Sequence, residues 1–143
     1  MYEFIRGKIV ELTPAYTVIE SNGIGYFIHI SVNSYSQMLN KNEGTFYLHL
    51  AVREDAHILY GFATTSEREI FRLLISVSGI GPNTARMVLS SLPVNELQKA
   101  IHEGNVNVLQ SVKGIGAKNK FLSKSLLISA KKQSINIVRI YYF

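Results

Sequence analysis

Near residue 63 the spacing of apolar side chains changes period, and that change constrains the fold of this 143-residue chain more than any other feature. Before it, short runs rich in β-branched and aromatic residues alternate with turn residues. Residues 2–12 and 16–20 read as strands on either side of Thr13-Pro14-Ala15. Ser21-Asn22-Gly23-Ile24-Gly25 separates the second strand from a third at 26–30. Asn22-Gly23 is a strong hairpin signal, because tight turns between strands need positive φ and both residues tolerate it. Residues 32–39 form a polar interruption with room for a helical turn. Segments 45–53 and 57–62 make another hairpin around Glu54-Asp55-Ala56. Five short antiparallel strands in about sixty residues cannot bury both faces of a flat sheet, and a small closed barrel of the OB-fold kind removes the open edges.

After residue 63 the period is helical. Ser66 fits an N-cap, with Glu69 three residues on to complete a capping box. Ile70, Phe71, Leu74, Ile75 and Val77 then fall on one helix face, which ends at Gly79. A second helix starts at Pro82, whose missing N–H costs nothing at the first helical position, and turns Ala85, Val88 and Leu89 inward. Residues 96–102 make a third helix, closed by Gly104. Asn105 caps a short fourth with Val108, Leu109 and Val112. The expectation is an α+β chain: a five-stranded OB-fold-like barrel over 1–63, an all-helical domain over 64–122, and a tail over 123–143.

A short motif occurs twice among these helices. Val77-Ser78-Gly79-Ile80-Gly81 matches Val112-Lys113-Gly114-Ile115-Gly116 at an offset of 35 residues, each copy following an apolar helix. A single copy would be read as a helix-helix turn with glycine at the left-handed position. Two copies in the same helical frame favour the helix-hairpin-helix, a clamp for the DNA backbone. Its glycines let a phosphate approach, and the first N–H groups of the next helix lack intrahelical partners and face the anion. Such contacts hold a duplex without reading its bases. The candidate backbone-binding residues are Gly79, Ile80, Gly81, Asn83 and Thr84 in the first copy, and Gly114, Ile115, Gly116 and Lys118 in the second. The central isoleucines anchor each turn in the core, and Lys118 adds a point charge where the first copy has Asn83.

Charge alone would have pointed to DNA for a weaker reason. The net charge is +5, but residues 1–63 are net −2, 64–116 net +1, and 117–143 carry six basic residues and no acid. The body is therefore nearly neutral, unlike a protein that coats DNA with charge. There is no Cys, which excludes disulfides, thiolate metal sites and a Cys nucleophile. The four His lie at no metal-ligand spacing, and no nucleophile elbow or Walker-type loop is present. Glu54 and Asp55 suit a nuclease metal pair poorly, since neighbours on a strand point to opposite faces and no third acid lies nearby. No cofactor and no metal is expected. The lack of a long apolar run or leader-like start implies no membrane partner and a cytoplasmic protein.

Residues 73–85, Leu-Leu-Ile-Ser-Val-Ser-Gly-Ile-Gly-Pro-Asn-Thr-Ala, resemble the first hairpin of the RuvA family of Holliday junction branch-migration proteins. Val52-Arg53-Glu54-Asp55-Ala56-His57 with Leu59-Tyr60-Gly61-Phe62 resembles the end of that family's barrel. Gly7-Lys8-Ile9-Val10, Gly23-Ile24-Gly25-Tyr26 and Gly114-Ile115-Gly116-Ala117-Lys118 also match, so the likeness runs over about residues 1–118. It implies a non-catalytic DNA-binding subunit that forms a homotetramer, with an octamer of two such tetramers left open, and holds four-way junction DNA flat in recombination and repair. It also implies that Glu54 and Asp55 form an acidic pin at the centre, repelling phosphates. The alternative reading is a barrel-plus-hairpin protein that binds duplex DNA generally, without junction selectivity.

After Lys118 the pattern departs from the family: Lys120 stands where a small apolar residue would pack, and the chain ends at Phe143. The family's linker and third domain, which docks the RuvB motor, would then be missing, through a frameshift or through divergence. On that expectation this chain recruits no motor. Residues 135–143, Ile-Asn-Ile-Val-Arg-Ile-Tyr-Tyr-Phe, form an apolar, β-prone tail.

Overall fold

A computed structural model describes residues 1–77, 79–104 and 107. The expected fourth helix, apart from Asn107, and the tail after Lys118 lie outside the described residues. The chain divides into two compact units, Met1–Arg68 and Glu69–Phe143.

The first unit is a closed barrel. Its strands are β1 (Phe4–Leu12), β2 (Tyr16–Ser21), β3 (Ile24–His29), β4 (Glu43–Val52) and β5 (His57–Phe62), with α1 (Val32–Met38) between β3 and β4. The order around the barrel is β1-β2-β3-β5-β4, and β1 closes it by pairing with both β2 and β4. All pairings are antiparallel except β3 with β5, which run parallel and meet at His29 and Tyr60. The long β1 can serve two neighbours because a bulge between Ile9 and Glu11 bends it. At the β2–β3 turn Asn22 has φ 53° and Gly23 φ 81°, the positive pair that such a hairpin requires.

Alternate residues of these strands fill the interior, Ile5, Ile19, Ile28, Phe46 and Leu48, joined by Ile30 just past β3 and by Met38 of α1. α1 is short and mostly polar. It forms because Ser31 caps it, the hydroxyl accepting from the N–H of Ser34 at 3.1 Å.

Three helices follow the barrel: α2 (Thr65–Ile75), α3 (Pro82–Ser91) and α4 (Val94–Glu103). The start of α2 differs from the expected capping box. Its cap is Thr64, whose Oγ1 accepts from the N–H of Glu67 at 3.2 Å, and Ser66 lies inside the first turn. Glu69, expected to reach back to the cap, instead pairs with Arg72 at 3.4 Å. The physical reason lies in Glu67, which has the right spacing from Thr64 but is drawn to partners on α1.

The helical core gathers Ile70, Phe71, Leu73 and Leu74 of α2, Ala85, Val88 and Leu89 of α3, and Leu97, Ala100 and Ile101 of α4. Gly104 ends α4 at φ 69°, its N–H turned back to the carbonyls of Ala100 and Ile101. Among the described residues no helix is long and apolar enough to cross a membrane.

Candidate nucleic-acid interface

The first glycine turn is built from the end of α2. After Ile75 the N–H groups of Ser76 and Val77 bond back to Leu73 and Leu74, both at 3.2 Å, and tighten the chain. Gly79 has φ 91°, a conformation that residues with a Cβ rarely adopt, and it reverses the chain direction. Ile80 follows with its side chain buried and its N–H on the Val77 carbonyl at 3.1 Å. Val77 is buried as well, so the turn is held from the inside by two apolar side chains.

Gly81 is the N-cap of α3, at φ −84° and ψ 170°, and its carbonyl accepts from Ala85 at 3.0 Å. That backbone suits any residue, and a Cβ at this position would meet nothing within 4 Å. Neither torsion nor packing inside the chain therefore requires glycine at 81. No side chain caps α3, and Pro82 occupies its first position. Asn83 and Thr84 lie in the first turn, where helix geometry gives an N–H no intrahelical acceptor. Gly81 and Asn83 are exposed and Thr84 is half-buried. The result is an open helix N-terminus of positive potential, suited to an oxyanion such as a phosphate. Gly114, Ile115, Gly116 and Lys118 of the second copy lie outside the described residues.

Glu54 and Asp55 stand at the tip of the β4–β5 hairpin, both exposed, beyond the last strand pair Val52–His57. The loop is closed by the N–H of Arg53 on the Ala56 carbonyl at 2.8 Å. Because they sit in the loop, the alternation of strand faces does not separate these two carboxylates, contrary to the expectation from the sequence. Among the described residues no group of three or more His, Asp or Glu side chains is arranged to hold a metal.

Sequence reasoning missed two residues, Glu67 and Arg68. Adjacent opposite charges at a helix start read as solvated, yet both side chains are buried. The Glu67 carboxylate accepts from the hydroxyls of Ser31 and Ser34. Burial pushes its carboxyl above the ordinary glutamate range, while the two serine hydrogen bonds pull it back down. The one signal available beforehand was the Thr64-x-x-Glu67 spacing.

Comparison with known proteins also finds a barrel domain followed by a helical one. Residues 1–61 match the model of the RuvA N-terminal domain, and residues 71–119 that of a SAM-like helix-hairpin-helix tandem. The chain is 55% identical over 118 residues to the Holliday junction branch migration complex subunit RuvA of Bacteroides fragilis, covering 82% of this chain and 59% of that protein. It is 55% identical over 118 residues to the subunit of the same name from Christiangramia forsetii, covering 82% and 61%. With that of Porphyromonas gingivalis the identity is 48%, over 82% of this chain and 58% of the relative. The chain thus spans about 60% of the length of the curated relatives it matches. On these grounds the chain belongs to the RuvA family, carrying its N-terminal barrel domain and a helix-hairpin-helix tandem.

Proposed function

We propose that this chain binds four-way (Holliday) DNA junctions as a homotetramer in the cytoplasm. It serves as the non-catalytic junction-recognition subunit of a branch-migration complex whose motor, in this family, is RuvB. Contact with the arms is sequence-independent and made to phosphates. Gly79, Ile80 and Gly81 form the first turn, with donors at Asn83 and Thr84; Gly114, Ile115, Gly116 and Lys118 form the second. The observation that carries this reading is the uncapped start of α3, where Gly81 is a glycine that the fold itself does not need. A side chain there would stand between the helix donors and a phosphate. The names of the relatives, all subunits of a Holliday junction branch migration complex, supply the kind of DNA.

Glu54 and Asp55 act as the pin. Exposed at a hairpin tip, they repel phosphates at the crossover and keep the strands apart. Competition between a four-way junction and a linear duplex at matched salt tests the proposal, since DNA affinities compare only at fixed ionic strength. The chain should prefer the junction, and light scattering should find four copies on it. In the double variant Glu54→Gln, Asp55→Asn, junction affinity or strand separation should change while duplex binding does not. Equal affinity of the unmodified chain for both DNAs would return it to the class of general duplex binders.

A further inference from the structure

β1 and β4 lie side by side on the barrel, and alternate residues of each turn outward. Ile5, Phe46 and Leu48 fill the core, so Phe4, Arg6 and Lys8 of β1 share the outer face with Thr45 and Tyr47 of β4. The register sets Phe4 opposite Tyr47, Arg6 opposite Thr45 and Lys8 opposite Glu43. Phe4 is 53% exposed, and Tyr2, two residues before it, is 50% exposed. Arg6 and Lys8 are exposed along the strand. Lys41 is exposed just before β4, where the Asn42 carbonyl accepts from the N–H of Ile9 at 2.8 Å. Three of the four Lys and Arg residues in 1–63 therefore gather about this face, in a segment that is net −2.

Rings and cations are held against one another here. The Arg6 guanidinium lies 5.8 Å over the Phe4 ring, and its Nε donates to the Thr45 hydroxyl at 3.2 Å. Arg68 lies 5.8 Å over the Tyr47 ring. The acid beside Phe4 in the chain, Glu3, is already engaged, its carboxylate paired with the Arg68 guanidinium at 2.6 Å. Among the described residues Lys8 and Lys41 form no ion pair. Arg6, Lys8 and Lys41 thus face one opposing carboxylate, that of Glu43, and the face is positive. Its complement is an anion that carries flat rings. Successive outward residues of a strand stand about 6.8 Å apart, so a base laid on Phe4 leaves the phosphates next to it beside Arg6 and Lys8. A duplex cannot use the ring, because its bases are stacked on one another inside. An unpaired strand can, and aromatic platforms lined with cations are how single strands are held.

We infer that the outer face of β1 and β4 is a binding site for a single nucleic-acid strand: Phe4 stacks on a base, and Arg6 and Lys8, with Lys41 beyond them, take the phosphates. Arg6 covers one side of the Phe4 ring and leaves the exposed remainder to the base. The site lies wholly within the barrel unit. It needs neither the glycine turns nor junction binding, and it stands even if the chain shows no preference for a junction.

The test is fluorescence anisotropy of the full chain at matched salt, with a linear duplex and with labelled oligo-dT of about 16 nucleotides, the upper site size for one barrel of this kind. Phe4→Ala should weaken oligo-dT binding about tenfold, the usual loss for one base stack, with its salt dependence and the duplex affinity unchanged. Arg6→Gln combined with Lys8→Gln should instead flatten the fall of log K with log salt by about 1.4, two phosphates at about 0.7 each. The chain has no Trp, so Phe4→Trp puts a single reporter on the face, and adding the strand should quench its emission. Oligo-rU in place of oligo-dT tells the two sources of a strand apart: quenching by one alone assigns DNA or RNA, and quenching by both assigns a site blind to the sugar. Circular dichroism and thermal melts establish folding. If Phe4→Ala does not fold, quenching in Phe4→Trp and the salt slope of the charge variant decide, and failure of all three to fold overturns the site in favour of a structural role. Emission unquenched by either strand, or a strand affinity that Phe4→Ala leaves as it was, overturns the site and leaves any strand binding to the basic residues of 117–143. Should Phe4→Ala lower the oligomer size in light scattering while strand affinity holds, the face is a contact between copies of the chain and the inference falls.

Discussion

Gly79 and Gly81 lie two residues apart in one motif, and they are glycine for different reasons. At Gly79 the backbone demands it, because φ is 91°. At Gly81 the backbone does not, and the space where a side chain would stand is open. The two substitutions to alanine should therefore separate stability from binding. Gly79→Ala places a Cβ in the left-handed region and should cost about 1–2 kcal/mol of stability. Gly81→Ala should leave the melting temperature nearly unchanged and yet weaken DNA binding about tenfold or more, as expected for the loss of a hydrogen bond to a charged group. Thermal melts and fluorescence anisotropy with a labelled junction measure the two effects on the same samples. A Gly81→Ala protein that is stable and binds normally would mean that the opening at α3 is not the phosphate site.

Helices show where a sequence can and cannot be read. The barrel was legible because its turns announce themselves: Asn22-Gly23 takes the positive φ values its composition favours, and the β5 segment 57–62 follows its turn directly. The start of α3 was legible through Pro82 and the end of α4 through Gly104, whereas α4 begins at Val94, two residues before the 96–102 segment read from the sequence. The start of α2 was not legible. Residues 64–69 contain two overlapping capping patterns, Thr64 with Glu67 and Ser66 with Glu69, and local chemistry fits either. The choice is made by Ser31 and Ser34, more than thirty residues away, which draw Glu67 into the interior. For the same reason the glycine turn could be located from sequence, but the different duties of its two glycines could not. If Thr64 is the working cap, Thr64→Ala should destabilise the chain by about 1 kcal/mol, the usual loss for a cap hydroxyl. Ser66→Ala should cost clearly less in the same chemical denaturation series, and the reverse ranking would restore Ser66 as the cap.

For the whole molecule the question is where the proposed affinity for DNA would reside. The excess of basic residues sits in 117–143, while residues 1–116 are net −1. Backbone N–H groups bind phosphate without adding a mobile cation, so a nearly neutral body can grip DNA, and an acidic hairpin tip can still push strands apart. The two sources of binding respond differently to salt. Each phosphate neutralised by Lys or Arg steepens the fall of log K with log salt by about 0.9 on duplex DNA. Changing Lys120, Lys124, Lys131 and Lys132 to Gln should therefore flatten the slope by at most about four for junction and duplex alike. Under the proposed function the preference for the junction should survive, because the glycine turns and the Glu54-Asp55 tip proposed to produce it are untouched. If the preference disappears with those lysines, recognition lies in the basic tail, and the turns serve only to join helices.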